Sequence, residues 1–227
     1  MLVSVSFDVS VAPTDTVDAL LEKFADPDWL RIEPEWVDGR INSRQCMAAQ
    51  LALISADELT LRTFLESVMI DPAFAEFVRY VSPFADLAIV SDGLDYPIVR
   101  ALRKAGVSIP VYANRTEFRE CGIGISFPFS RPTCTVNSGV CKCSVAQTVD
   151  AGRGLTTVLI GDGRSDQCVA HQADFVFAKG SLITYCRDNG IPYTPFQSFA
   201  DVFAAIRQWP VAPQSLTKEK QCPLVVA

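Results

Sequence analysis

Leu2-Val3-Ser4-Val5-Ser6-Phe7-Asp8-Val9-Ser10 opens the chain, and its reading sets the fold. Apolar and small residues alternate up to Phe7, then a carboxylate and a hydroxyl follow, which predicts a short buried strand running into a polar loop. The same grammar returns further on. Leu87-Ala88-Ile89-Val90 runs into Ser91-Asp92-Gly93, and Thr157-Val158-Leu159-Ile160 runs into Gly161-Asp162-Gly163-Arg164-Ser165-Asp166. Strands separated by stretches of helical periodicity imply a parallel sheet covered by helices on both faces, an α/β class.

Between the first strand and the second lies a long block without strand character. Thr14 or Asp15 is placed to cap a helix through Phe24, Asp28 to open one through Trp36, and Ser43 one through about Leu53. Ser55-Ala56-Asp57-Glu58 reads as a capping box for a helix through about Val68, and Asp71-Pro72 as an N-cap followed by proline in the first turn. Residues 14–70 are therefore expected to form a helical cap inserted into a core made of 1–13 and 71–213. Residues 214–227 are expected to form a loose tail. Beyond the second strand the pattern predicts a helix near Tyr96 to Ala105 and a strand at Ile109-Pro110-Val111-Tyr112. A hairpin over Thr116 to Phe127 turning at Cys121-Gly122 comes next, then a helix from about Val140, a strand at Phe175-Val176-Phe177, and helices near 181–188 and 199–208.

Composition narrows the function classes. With 227 residues, 49% of them hydrophobic, the chain can bury a substantial core. A formal charge of −6 and the lack of any Lys/Arg cluster argue against a nucleic-acid partner, which is held by basic residues that displace counterions. No apolar run approaches the roughly 20 residues that cross a bilayer, and the N-terminus lacks a signal-peptide pattern, so no membrane association and a cytoplasmic location are expected. The eight cysteines are then expected as thiols. Cys141-Lys142-Cys143 has a spacing too tight for a structural zinc site, and the single histidine, His171, has no pattern of a base serving a nucleophile.

In an open parallel sheet, ligands sit beyond the carboxyl ends of the strands. The segments there, together with Ser138-Gly139-Val140-Cys141-Lys142, collect hydroxyls, glycine turns, a lysine in the first turn of a helix and several carboxylates. That mixture suits a phosphate and a hard divalent cation. These segments, in this order, resemble the haloacid dehalogenase (HAD) superfamily, and within it the branch of phosphoserine phosphatase and of the methionine-salvage phosphatase. Ser6-Phe7-Asp8-Val9-Ser10 resembles its first motif, Val90-Ser91-Asp92-Gly93 its second, Lys142 its third and Gly161 to Asp166 its fourth. The resemblance covers nearly the whole chain, including the cap and the Ala113-Asn114-Arg115 entry to the hairpin. It implies a three-layer Rossmann-like core with an inserted helical cap, phosphomonoester hydrolysis and Mg²⁺ as cofactor.

Carried over onto these positions, the resemblance implies that an aspartate at position 6 would attack phosphorus while Asp8 protonates the leaving oxygen and later activates water. Ser91, Asp92, Gly93 and Lys142 would surround the phosphoryl group. Asp162 and the Asp8 carbonyl would bind Mg²⁺, with Asp166 supporting the metal. A cap arginine, Arg44 beside Arg31 and Arg40, would reach the far end of a small phosphorylated metabolite.

Position 6 departs from this pattern, because it holds Ser6. A hydroxyl is neutral and shorter than a carboxylate, and no histidine or lysine adjoins it in the sequence to deprotonate it. Val9 and Ser10 also stand where the family commonly has glycine and threonine. Three readings follow: a phosphoryl-ligand site with impaired or altered catalysis, a pseudoenzyme in effect; an active hydrolase or transferase using Asp8 or Ser6; and a non-catalytic interaction protein.

Overall fold

In the computed structural model, which describes residues 1–209, the first strand is β1 (Leu2–Val5), fully buried along its length. The chain then enters α1 (Thr16–Phe24), a 3-10 turn at Pro27–Arg31, α2 (Glu33–Val37), α3 (Ser43–Leu51), α4 (Glu58–Glu66) and α5 (Pro72–Val81). After these come β2 (Asp86–Leu94), α6 (Asp95–Lys104), β3 (Val111–Arg119), β4 (Gly122–Ser126), α7 (Lys142–Asp150) and β5 (Thr157–Gly161). The remainder is α8 (Gln167–Ala170), β6 (Phe175–Ala178), α9 (Gly180–Asp188), β7 (Thr194–Pro195) and α10 (Phe199–Ile206). The expected tail at 214–227 lies outside the described residues. Among the described residues no helix is long and apolar enough to cross a membrane.

The strands form one seven-stranded sheet in the order β4-β3-β2-β1-β5-β6-β7, parallel except for the β3–β4 pair. β1 is the pivot, with β2 on one side and β5 on the other. Alternate residues of the strands serve opposite faces. Val3, Val5, Leu87, Ile89, Val158 and Ile160 pack with α5, α6 and α10, where Phe74 meets Phe199 edge to face at 4.8 Å. On the other face Leu159, Val176 and Ala178 meet α8 and α9, while Ala88 and Val90 meet α7. The result is a three-layer Rossmann-like core.

Helices α1, α3 and α4 bury their apolar stripes apart from that core, in a cluster of Leu20, Leu21, Leu51, Leu61 and Leu65 joined by Ile123 of β4. The segment between β1 and α5 begins and ends at one point, since the Asp71 amide donates to the Val11 carbonyl at 2.8 Å. Its helices differ from expectation in their starts. Asp57, not Ser55, caps α4 by accepting from the Thr60 amide, and Asn42 caps α3 in a capping box with Gln45. Pro34 and the Ile32 turn divide the helix expected from Asp28 into the 3-10 turn and α2. Two strands also differ. β2 continues through Ser91, Asp92 and Gly93 with a register irregularity, and β3 runs without a break from Val111 into the hairpin because it pairs first with β2 and then with β4.

Candidate active site

At the carboxyl end of β1 the chain has its two sheet neighbours within reach, because Val5 is in register with Ile89 and with Ile160. The next residues of all three strands therefore meet in one crevice, where the topology switches direction. A cavity of about 240 Å³ opens there, lined by Ser6, Asp8, Ser91, Asp92, Gly93, Lys142 and Asp162 among others. Sequence order alone had put these residues more than 150 positions apart at the extremes.

Ser6 stands at the floor. Its hydroxyl donates to the Asp166 carboxylate at 2.9 Å and 3.1 Å to the two oxygens and accepts from Lys142 Nζ. Lys142 Nζ in turn pairs with Asp166 Oδ1 at 2.7 Å, both side chains being 1% exposed. A lysine therefore does touch Ser6, contrary to what its sequence neighbours suggested, because the first turn of α7 brings position 142 under β1. Paired with a carboxylate in this enclosure, Lys142 acts as an ammonium donor, and the group that faces the Ser6 proton is Asp166. Asp166 also accepts the backbone amides of Asp162 and Gly163, each at 3.2 Å, which shapes the loop after β5. Gly161 is required beside it, since a Cβ there would fall 2.4 Å from the Asp166 carboxyl carbon.

Asp8 occupies the cavity wall above Ser6. Its carboxylate accepts the Thr16 amide at 3.0 Å and the Ser91 hydroxyl at 3.5 Å. Desolvation, then the nearby Asp15 and Asp162 carboxylates, outweigh these hydrogen bonds and raise its pKa to about 7. Such a group can hold a proton near neutrality. Gly93 makes room for it, because a Cβ at 93 would lie 2.2 Å from Asp8 Oδ2. The turn that carries Asp8 is tight: the Ser10 amide donates to the Asp8 carbonyl at 2.7 Å, and Val9 sits at φ 60. Lys179 Nζ holds this turn from β6's end by donating to the Val9 carbonyl at 3.0 Å.

Asp162 accepts from the Ser10 hydroxyl at 3.1 Å, and desolvation followed by the Asp166 charge raises its pKa to about 6. The Asp162 carboxylate, with the main-chain carbonyl of Asp8 near it, offers the hard oxygen donors that a divalent cation takes, so the donor set fits Mg²⁺. Asp166, committed to Lys142 and Ser6, is a support for that pair rather than a third ligand. Among the described residues no group of three or more His, Cys, Asp or Glu side chains is arranged to hold a metal ion by itself.

Asp92 lines the cavity but is occupied. It accepts from Ser43 Oγ at 2.8 Å, the Val140 amide at 2.8 Å and Asn114 Nδ2 at 3.4 Å. It joins β2 to α3 and to the loop before α7, and so positions Lys142. Ser91 Oγ accepts the Gly93 amide at 3.1 Å. The cap arginines lie elsewhere: Arg44 does not line the cavity, while Arg31 and Arg40 are exposed and paired with Asp28 and Asp38. The cap instead contributes Asp18, Glu33, Trp36, Cys46, Met47 and Gln50. Ser43, Cys46, Met47 and Gln50 follow i, i+3, i+4, i+7 spacing, a helical face legible in the sequence although nothing there says where it points.

In motif order, three-layer core and the crevice at the end of β1, the chain resembles a HAD-type phosphatase scaffold. In particular, the chain is similar to 2-hydroxy-3-keto-5-methylthiopentenyl-1-phosphate phosphatase from Bacillus cereus, at 28% identity over 88% of this chain and 93% of that one. Among solved structures it shares its fold with a substrate-bound phosphoserine phosphatase, with a TM-score of 0.68, 15% identity and coverage of 90% of this chain and 97% of that one. The phosphoserine phosphatase from T. onnurineus gives a TM-score of 0.67 at 14% identity, over 91% of this chain and 94% of that one. No protein-family model matches the chain.

Proposed function

We propose that the protein binds a small phosphomonoester together with Mg²⁺ in the crevice at the end of β1, under a cap made by residues 14–70, and that covalent phosphoryl transfer is impaired because Ser6 stands where the nucleophile should be. The observation that carries this reading is the placement of Ser6 Oγ between Lys142 and Asp166. The site keeps its phosphate donors: the Lys142 ammonium, the Ser91 hydroxyl and the Val9 amide of the turn after Asp8. It keeps Asp8 as a carboxyl able to carry a proton to a leaving oxygen. The Asp162 carboxylate and the main-chain carbonyl of Asp8 would hold Mg²⁺, which would offset charge on the phosphoryl oxygens. All three similar proteins are phosphatases of small phosphorylated compounds by name, which supports the ligand class. What is missing is an anion able to attack phosphorus and then be displaced by water. Loss of a nucleophile from a cooperating set costs on the order of 10⁶ in turnover.

Ser6→Asp is expected to create or strongly raise hydrolysis of aryl phosphates in the presence of Mg²⁺, and a second change, Asp8→Asn, to abolish that gain. The overturning result is a parent protein that already turns over a phosphomonoester at ~1 s⁻¹ or faster and keeps that rate in Ser6→Ala. Water attack directed by Asp8 would then replace the impaired-phosphatase reading.

A further inference from the structure

Four cysteines that the crevice does not use fall into two pairs. Cys134 and Cys141 lie together at 5% exposure each, shielded from solvent. Cys143 and Cys168 meet where the first turns of α7 and α8 pack, and both residues are half-buried rather than enclosed. Neither lines the crevice. Cys143 follows Lys142 in the chain and Cys168 comes two residues after Asp166, so this thiol pair stands beside the buried ion pair that underlies Ser6.

Their contacts make the two sulfurs unlike. The Cys143 thiol donates to the Cys168 sulfur, which also accepts the Cys143 amide and lies in the field of the Lys142 ammonium. That thiol hydrogen bond foremost, then the amide and Lys142, lower the Cys168 pKa to about 7 against the opposing effect of burial. The same hydrogen bond, with burial, pushes Cys143 up. Burial also pushes Cys46 and Cys186 up to about 11. The thiolate is the form that attacks an oxidant, so Cys168 is the sulfur to react first, with a second sulfur already in contact to resolve it.

We propose that Cys143 and Cys168 are a reversible oxidation site for small hydroperoxides, with Cys168 attacking and Cys143 resolving. With hydrogen peroxide, the Cys168 sulfur takes one oxygen as the O–O bond breaks and becomes a sulfenic acid, while the departing hydroxide leaves as water with the Cys168 proton. Cys143 then attacks that sulfur, the S–O bond breaks, and a second water carries off the Cys143 proton. Two thiols and one peroxide thus give one disulfide and two waters, and an external dithiol reverses the change. The link ties the residue after Lys142 to the turn after Asp166, and it does not depend on the phosphoryl-site reading.

Peptide mapping of the folded whole chain, first reduced and then treated with hydrogen peroxide, tests it. Tryptic fragments 143–153 and 165–179 are expected to be joined, at a mass lower by two hydrogens than their sum, and to separate again with dithiothreitol. Cys143→Ser is expected to lose the link and leave Cys168 as a sulfenic acid that dimedone labels. Cys168→Ser is expected to lose both the link and the label, and Cys121→Ser, which alters an exposed thiol outside the pair, to keep the link. Fragments that stay separate in the parent chain overturn the proposal, as does a link that joins other cysteines instead. Dimedone labelling of Cys143 in Cys168→Ser, without labelling of Cys168 in Cys143→Ser, overturns it too.

Discussion

Lys142 Nζ lies 2.7 Å from Asp166 Oδ1 with both side chains 1% exposed, and the Ser6 hydroxyl bridges them. This places an ion pair under the central strand, where each charge depends on the other. Removing one partner leaves the second buried and unpaired. Lys142→Met is therefore expected to lower folding stability by about 3–5 kcal/mol, and Lys142→Met/Asp166→Asn to recover part of that loss. Urea unfolding measures both, and a single-variant loss under about 1 kcal/mol would show that the pair is solvated.

Asp8 connects site and stability through its proton. Its folded pKa, about 7, lies above the ordinary 3.8 because desolvation opposes ionisation, with Asp15 adding to the effect. The folded chain therefore binds this proton more tightly than the unfolded chain does. The stability it contributes is fully present below about pH 3.8 and is lost as the pH rises through about 7. Asp8→Asn, which keeps an acceptor for the Thr16 amide, is expected to raise the Tm by several degrees at pH 8. The gain should disappear near pH 4. Melting curves across that range check it, and a variant less stable than the parent at pH 8 would contradict the sign.

Val9 is a β-branched residue at φ 60, in the turn that presents Asp8 and Ser10. That region of backbone space is costly for such a side chain, on the order of 1–3 kcal/mol. Val9→Gly is expected to relieve the strain, with a net gain of about 1 kcal/mol after the added chain entropy. Chemical denaturation should register the gain. A loss of stability instead would mean that the Val9 side chain contributes more by packing than its backbone costs.

The seven cysteines among the described residues are all free thiols, four of them buried, and Cys222 lies outside those residues. Thiol titration of the unfolded, unreduced protein is expected to count eight groups, matching the eight cysteines of the chain. A count of six or fewer would place a disulfide in the native protein.

Strand-to-loop patterning makes the core legible in the sequence. The alternation of apolar and small residues in β1, apolar runs at β2 and β5 and the Asp71-Pro72 start of α5 are local properties, and local chemistry specifies them. The order of the motifs identified the carboxyl ends of those strands as the place to look. Local patterning did less well where neighbours in space decide. Ser91 to Gly93 reads as a loop, yet pairing with β3 extends β2 through it. Ser55 reads as an N-cap, yet Asp57 takes that role with its side chain on the Thr60 amide.

From the sequence alone came the α/β class, the residues Asp8, Ser91, Lys142, Asp162 and Asp166 as candidates, and the absence of a carboxylate at position 6. Only the tertiary structure decided that Lys142 reaches Ser6, that Asp92 is consumed by Ser43 and Val140, and that Arg44 stays off the cavity while Asp18, Glu33 and Gln50 line it. The physical reason is the range of the forces involved. Propensity, capping and hydrophobic period act over a few residues and are written along the chain. The direction in which a cap helix turns its polar face, and the partner a buried charge finds across 24 or 136 residues of chain, depend on how separate elements pack.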